Sequence, residues 1–283
     1  MRLLAKSFRR SAPGDPLPES IFLSGHLREA HGAALAVLDC TAQEQLQALG
    51  LDPEVWLQRF SQVVLLSAGL HDIGKANYHF QGIVQKIPGR EGRRQGLRHE
   101  WVSLLLLSDP DLRDWLTPVL GEHPTDQLAF ECAISGHHPA YGRSSPPQQA
   151  PQMGEGSTMR LFLEHRDLAQ SLQFVAELFG LHEPPAMRDA ALSLLSGHNS
   201  AFSRLSEILI DEEDTWEKMS PDERRFIAAV KACLVAADVA GSALPKKLPE
   251  EEKRQAWIRK SFAAIPTPTQ IQEIIRSSLS GNG

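Results

Sequence analysis

The chain has 283 residues, 29 Lys and Arg against 35 Asp and Glu, a net charge of −6 and a hydrophobic content of 42%. This balance excludes a disordered or fibrous chain. The acidic excess argues against a protein held to nucleic acid by bulk charge, so any such contact must come from a local patch or from metal ions.

No run approaches the roughly 18 apolar residues of a membrane helix, and the start MRLLAKSFRR lacks an apolar core and cleavage site for secretion. No membrane partner is expected. Cys40, Cys132 and Cys233 are far apart with no CxxC pair, which favours a reducing, cytoplasmic setting over a disulfide scaffold.

In chain order, residues 1–20 read as an extended entry segment, rich in Pro and Gly from Ser11 to Pro18. Ile21 to Leu38 has apolar residues at helical spacing, and Pro53 to Leu70 forms a second such stretch with Pro53 in its first turn. Leu97 to Leu107 and Gln127 to Ser135 are shorter apolar helices. A low-complexity stretch over about 140–157 reads as a mobile loop. Helices are expected over Ser157 to Leu178 and Ala186 to Leu195, and the acidic run Asp211 to Asp214 reads as a solvated turn. Ser220-Pro-Asp-Glu223 opens a further helix with a capping box, running through Phe226 and Val230 towards Ala240. Residues 246–283 form a C-terminal helical extension (Lys246 to Lys260, then Pro266 to Leu279), a candidate linker. Alternating strand patterns are nearly absent, so the expected fold is all-α, an irregular helical bundle with its main domain over 21–245.

The chemistry concentrates in Ser67-Ala-Gly-Leu-His71-Asp72-Ile-Gly-Lys75. His71 continues the apolar row of Phe60 and Val64, which sets an imidazole and a carboxylate at the edge of the core. Buried ionisable groups are costly unless paired or metal-bound. Gly69 to Lys75 nearly matches a phosphate-binding P-loop. However, Ala76 lacks the magnesium-binding hydroxyl and no strand precedes it. Further on come Arg98-His99-Glu100, Ser135-Gly-His137-His138 and Asp238 on the row of Val230 and Leu234; upstream lies His26. A lone histidine is more often an ordinary packing residue. Five histidines and two aspartates at helix ends near core rows are harder to explain that way. His31, His79, His123, His165, His182 and His198 read as surface or packing residues, His79 on a solvent-leaning helix.

In that order, His26, His71-Asp72, Lys75, His99, His137-His138 and Asp238 resemble the HD superfamily of metal phosphohydrolases. HDIGKANYHFQ, RHEWVS, SGHH and ADVAGSALP resemble, more narrowly, the HD nuclease domain of the type I CRISPR helicase–nuclease, over roughly residues 1 to 245. Pro139 departs from the glycine the family often has after the doublet. The resemblance implies an HD-type helical domain with two divalent transition-metal ions (manganese, iron, cobalt or nickel, with magnesium as a further option). His26, His71, Asp72 and Asp238 would hold one, and Asp72, His99, His137 and His138 the other, with Asp72 bridging. Mixed imidazole and carboxylate donors suit such ions.

Lys75, at i+3 from Asp72, shares its helix face and would serve with Asp72 as a catalytic residue, neutralising charge on the phosphate; the alternative is that it simply pairs with Asp72. Ser242, four residues after Asp238, either orients that carboxylate or ends the helix. Lys86 to Arg98 holds five basic residues and one acidic. Its Arg90, Arg93, Arg94 and Arg98 are candidate contacts to a phosphate backbone. The expected substrate is single-stranded DNA, cleaved at phosphodiesters during type I CRISPR interference. The expected partners are a helicase domain, fused or separate, and a guide-RNA surveillance complex of the Cascade type. An HD phosphohydrolase of nucleotides or cyclic nucleotides is the alternative, and a non-catalytic adaptor with a structural metal is a third reading.

Overall fold

The computed structural model describes residues 2–8, 16–86, 95–138, 158–195, 197–198 and 200–262. Among these residues the chain forms ten α-helices and one small two-stranded sheet, the helical bundle expected. Arg90, Arg93, Arg94, Pro139, the loop over 140–157 and the helix expected after Pro266 lie outside the described residues.

Helices α1 (Leu23–Ala48), α2 (Pro53–Leu70), α6 (Pro124–Gly136) and α9 (Pro221–Ala243) pack against one another as the centre of the bundle. Phe60, Phe130, Phe226, Leu27 and Val230 are among the residues at its heart. Side chains of this kind contribute roughly 1.5–3 kcal/mol each when fully buried. Arg59 of α2 grips Asp126 of α6 at 2.8–3.1 Å through Nε and Nη2, which fixes how those two helices are aligned. The start of α9 is the expected capping box: Ser220 Oγ accepts from the Glu223 N–H, and Glu223 returns to the Ser220 N–H at 2.8 Å. No membrane-length stretch was expected, yet α9 and the turn after it are long and apolar enough to cross one by composition. Phe226, Ile227, Val230, Leu234 and Ala237 spend that apolarity inside the bundle.

Two close approaches set the geometry of the site. At Gly241 a Cβ would lie 2.7 Å from the Ala30 backbone nitrogen, so α9 touches α1 backbone to backbone there. At Gly74 a Cβ would lie 2.2 Å from the His99 carbonyl oxygen, and Gly74 N–H donates to Ser103 Oγ at 2.9 Å. The turn after α2 is thereby pressed onto α4 (His99–Leu107).

Five expectations are corrected. Residues 158–161 form strand β1, which pairs antiparallel with β2 (Ala190–Ser193), Thr158 opposite Ser193; the helix of that region, α7, begins only at Arg166 and ends at Phe179. The Thr-Met-Arg-Leu run alternates exposed and buried, a strand signal too short to stand out. Consequently no helix spans 186–195. Asp211 to Asp214 lies inside α8 (Ala201–Lys218), not in a turn. This helix buries only Ala201 and Leu205, which is why its pattern was weak. His79, on α3 (Tyr78–Val84), is 1% exposed rather than solvent-leaning, and its Nδ1 accepts from the Gly96 N–H. Lys75 does not share an α-helical face with Asp72, because α2 stops at Leu70 and Ile73–Lys75 form a 3-10 turn.

The two ends of the described chain also pack onto the bundle. Leu3 and Ala5 are buried, with Leu3 N–H donating to Asp167 Oδ2 at 2.6 Å. Helix α10 (Glu251–Phe262) lies along α1, where its Arg254 pairs with Glu29 at 2.6 Å.

Candidate metal centre

Five helices deliver the seven expected ligands to one place. His26 comes from the first turn of α1, His71 and Asp72 from the end of α2, and His99 from the first residue of α4. His137 and His138 follow the end of α6, and Asp238 lies near the end of α9. These side chains fall into two groups sharing Asp72: His26, His71, Asp72 and Asp238, then Asp72, His99, His137 and His138. Within each group the donor atoms lie within 4.8 Å of one another.

The two oxygens of Asp72 face different groups. Oδ2 stands 2.8 Å from His26 Nε2 and 3.3 Å from His71 Nε2. Oδ1 stands 3.3 Å from His99 Nε2 and 3.5 Å from His137 Nε2. Asp238 Oδ1 closes the first group at 3.3 Å from His26 Nε2 and 3.5 Å from His71 Nε2. His138 Nε2 closes the second, 2.9 Å from His99 Nε2.

This crowd is unsatisfied by itself. Both Asp72 oxygens, Nε2 of His26, His71 and His137, and Nδ1 of His26 are buried without a hydrogen bond of acceptable geometry. Buried polar atoms are rarely left so. Nitrogen and carboxylate donors, converging with few good hydrogen bonds, fit divalent transition metals in both groups. Two of the rings are held from behind: His71 Nδ1 meets the Ala68 carbonyl at 3.1 Å and His137 Nδ1 the Ile134 carbonyl at 2.7 Å. With Nδ1–H donating there, each Nε2 lone pair is turned towards the centre. Ser242 Oγ donates to Asp238 Oδ1 at 3.3 Å, the orienting role rather than a mere helix end.

The electrostatics favour ligand-ready forms of His99, His138, Asp72 and Asp238, while His71 holds a proton that an ion would displace. Burial pushes His99 down to about 3 and His138 down to about 4, so both imidazoles are neutral near pH 7. Burial alone would raise Asp72, but Lys75 and His71 hold it well below the usual carboxylate range. Burial likewise opposes ionisation of Asp238, yet His26 and His71 keep it low. Without metal, burial would neutralise His71, but Asp72 and then Asp238 outweigh it and raise the ring to about 10.

Lys75 Nζ contacts Asp72 Oδ2 directly, the pairing that the sequence left as the alternative to a role on phosphate. The turn that carries it is held by two residues not singled out in the sequence. Asn77 Nδ2 donates to the Gly74 carbonyl at 2.5 Å, and Gln81 Nε2 donates to the Lys75 carbonyl at 2.9 Å. Both sit inside HDIGKANYHFQ, but nothing in their spacing marks them as supports. His31 is buried against Phe174, away from the centre, while His26 faces it. Arg98 precedes the first residue of α4 and pairs with the Glu100 carboxylate. A helix, not a strand, precedes His71, as the reading against a P-loop required.

Comparison with known proteins places the chain in a family. The family described as "Cas3, HD domain" matches residues 5–244. A putative CRISPR-associated nuclease/helicase Cas3 from Myxococcus xanthus is 31% identical over 282 residues, covering 99% of this chain and 36% of its own length. A CRISPR-associated nuclease/helicase Cas3 of subtype I-F/YPEST from Pectobacterium atrosepticum is 26% identical over 152 residues, covering 52% of this chain and 14% of its own length. The chain thus spans about a third or less of these relatives. No solved structure matches it. With the family's match running from the N-terminal segment through the last ligand on α9, this chain belongs to the Cas3 HD-domain family.

Proposed function

We propose that the chain is a metal-dependent nuclease that hydrolyses phosphodiesters of single-stranded DNA in type I CRISPR interference. A helicase, in the same or another chain, would feed it the strand, and a Cascade-type guide-RNA complex would open the target. The working compartment would be the cytoplasm. The observation that carries this reading is Asp72, whose two oxygens face two separate donor groups. A structural or single-ion site has no need of the second group.

His26, His71, Asp72 and Asp238 would hold one divalent ion, and Asp72, His99, His137 and His138 the other. Such a pair supplies an activated water and charge stabilisation for both oxygens of an in-line phosphoryl displacement. The protein's own part is orientation and charge. The Ala68 and Ile134 carbonyls fix the proton of His71 and His137 on Nδ1. Lys75 keeps Asp72 ionised in a buried place and sets a cation where a scissile phosphate would lie. Asp238 and His138 are the partly exposed members, so the strand would approach past them. Arg90, Arg93 and Arg94 would track its phosphates. The relatives' names, nuclease/helicase, support a helicase partner.

The test incubates metal-stripped chain with circular single-stranded DNA, with and without manganese, beside Asp72→Ala and a cyclic nucleotide. Degradation of the circle only with manganese, abolished in the variant, is the expected result. An intact circle with a hydrolysed cyclic nucleotide would replace the reading by a small-molecule phosphohydrolase. Unfolding on metal removal with neither activity would point to an adaptor.

A further inference from the structure

Glu100 is a buried carboxylate with no part in either donor group. It follows His99 on α4 and is 2% exposed. A carboxylate so placed needs partners. Its Oε1 contacts the Arg98 guanidinium, and its position in the first turn of α4 adds the favourable field of a helix N-terminus. Its Oε2 makes no hydrogen bond, and neither does Nδ1 of His99. These two buried atoms lie 3.6 Å apart.

The other face of the same ring explains why that pairing matters. His99 Nε2 points at Asp72 Oδ1 and His138 Nε2. A neutral imidazole has one N–H, so Nε2 can offer a lone pair only if the proton sits on Nδ1. His71 and His137 meet this need with the carbonyl three residues back, because each follows a helix. His99 begins a helix, so no preceding helical turn presents it a carbonyl. A side-chain carboxylate stands there instead.

The geometry points to Glu100 as a positioning residue: its Oε2, 3.6 Å behind His99 Nδ1, is the acceptor that draws the ring proton to Nδ1 and turns Nε2 towards Asp72, while Arg98 holds the carboxylate. This rests on the reading of His99 as a ligand of the second ion. Arg98 thereby acts through Glu100 rather than on the DNA backbone.

Calorimetric titration of metal-stripped chain with manganese tests it, with cobalt absorption as a second readout. Wild type should bind two ions. Glu100→Ala should weaken one of them about 10–100-fold and leave the other unchanged. Glu100→Met, which keeps the buried volume without an acceptor, should do the same if the alanine variant does not fold. Glu100→Gln, which retains an acceptor oxygen, should lose less. In a His99→Ala background, Glu100→Ala should have no further effect. Equal weakening of both ions, or a full additional loss in the His99→Ala background, would overturn the inference. So would two wild-type affinities in Glu100→Ala and Glu100→Met. If wild type binds fewer than two ions, the two-ion reading fails and this one with it. An indifferent Glu100 in a chain that binds two overturns this one alone.

Discussion

Asp72 Oδ2 and His26 Nε2 stand 2.8 Å apart, both buried and neither in a hydrogen bond of acceptable geometry. The first comes from the end of α2 and the second from the first turn of α1, 46 positions earlier in the chain (72 − 26). Their approach inside the bundle, both side chains 1% exposed, is what makes the centre more than a run of polar residues.

Asp72→Ala removes the group common to both donor sets. The variant should lose both ions, measured by elemental analysis, and nuclease activity should fall to background. Helical content by circular dichroism should be unchanged, because the core around Phe60 and Phe226 does not include Asp72. Retained cleavage at wild-type rate would sink the site assignment.

Gly74→Ala tests the contact that brings Asp72 to His99. The added Cβ meets the His99 carbonyl oxygen at 2.2 Å and the Ser103 nitrogen at 2.4 Å, both backbone atoms that cannot step aside alone. Overpacking of this kind costs about 1–3 kcal/mol. A lower melting temperature together with weaker uptake of the second ion is expected. A variant with wild-type stability and metal content would show that the approach is not needed.

His31 should govern part of the acid sensitivity. Burial alone pushes it down to about 4 from the usual 6.5. The folded chain therefore favours the neutral ring, and below pH 6.5 the unfolded chain takes the proton first. Stability from this group is complete above pH 6.5 and is lost as pH falls towards 4. His31→Phe, which can keep the edge contact with Phe174, should gain about 2 kcal/mol on wild type between pH 7 and pH 4. Denaturant midpoints at the two pH values measure it; a constant difference would refute it.

Metal should stabilise a chain that is already folded. Manganese at 100 times its dissociation constant should add about 2.7 kcal/mol for one site, raising the melting temperature by about 5 °C. Chelator should reverse the shift without unfolding the protein at room temperature. Collapse on chelation would instead favour a structural role for the metal.

Much of this was legible in the chain alone. Pro53–Leu70 was read to the residue because Asp52 and Pro53 open that helix and its apolar row runs unbroken to His71. The capping box at Ser220 did the same for α9. The candidate side chains from His26 to Asp238 also stood out, since imidazoles and carboxylates on core rows violate the rule that buried polar groups need partners, and the family resemblance supplied their grouping as ligands. Strand β1 was missed because four residues are too short for an alternation to stand out. Helix α8 was missed because two buried side chains set no periodicity. Asn77, Gln81 and Glu100 were passed over because their partners are a backbone carbonyl or a ring nitrogen, and no pattern in the chain reports those.

The sequence by itself therefore determined the helical class, the family likeness and the inventory of candidate metal ligands, all of which depend on local spacing and residue chemistry. Only the tertiary structure decided which oxygen of Asp72 faces which imidazoles, that Lys75 pairs with Asp72, and that Arg98 turns to Glu100. Those choices depend on how closely α1 meets α9 at Gly241 and how closely the 3-10 turn meets α4 at Gly74. Backbone approach between distant segments is set by the packing of the whole core, and a linear pattern of residues does not carry it.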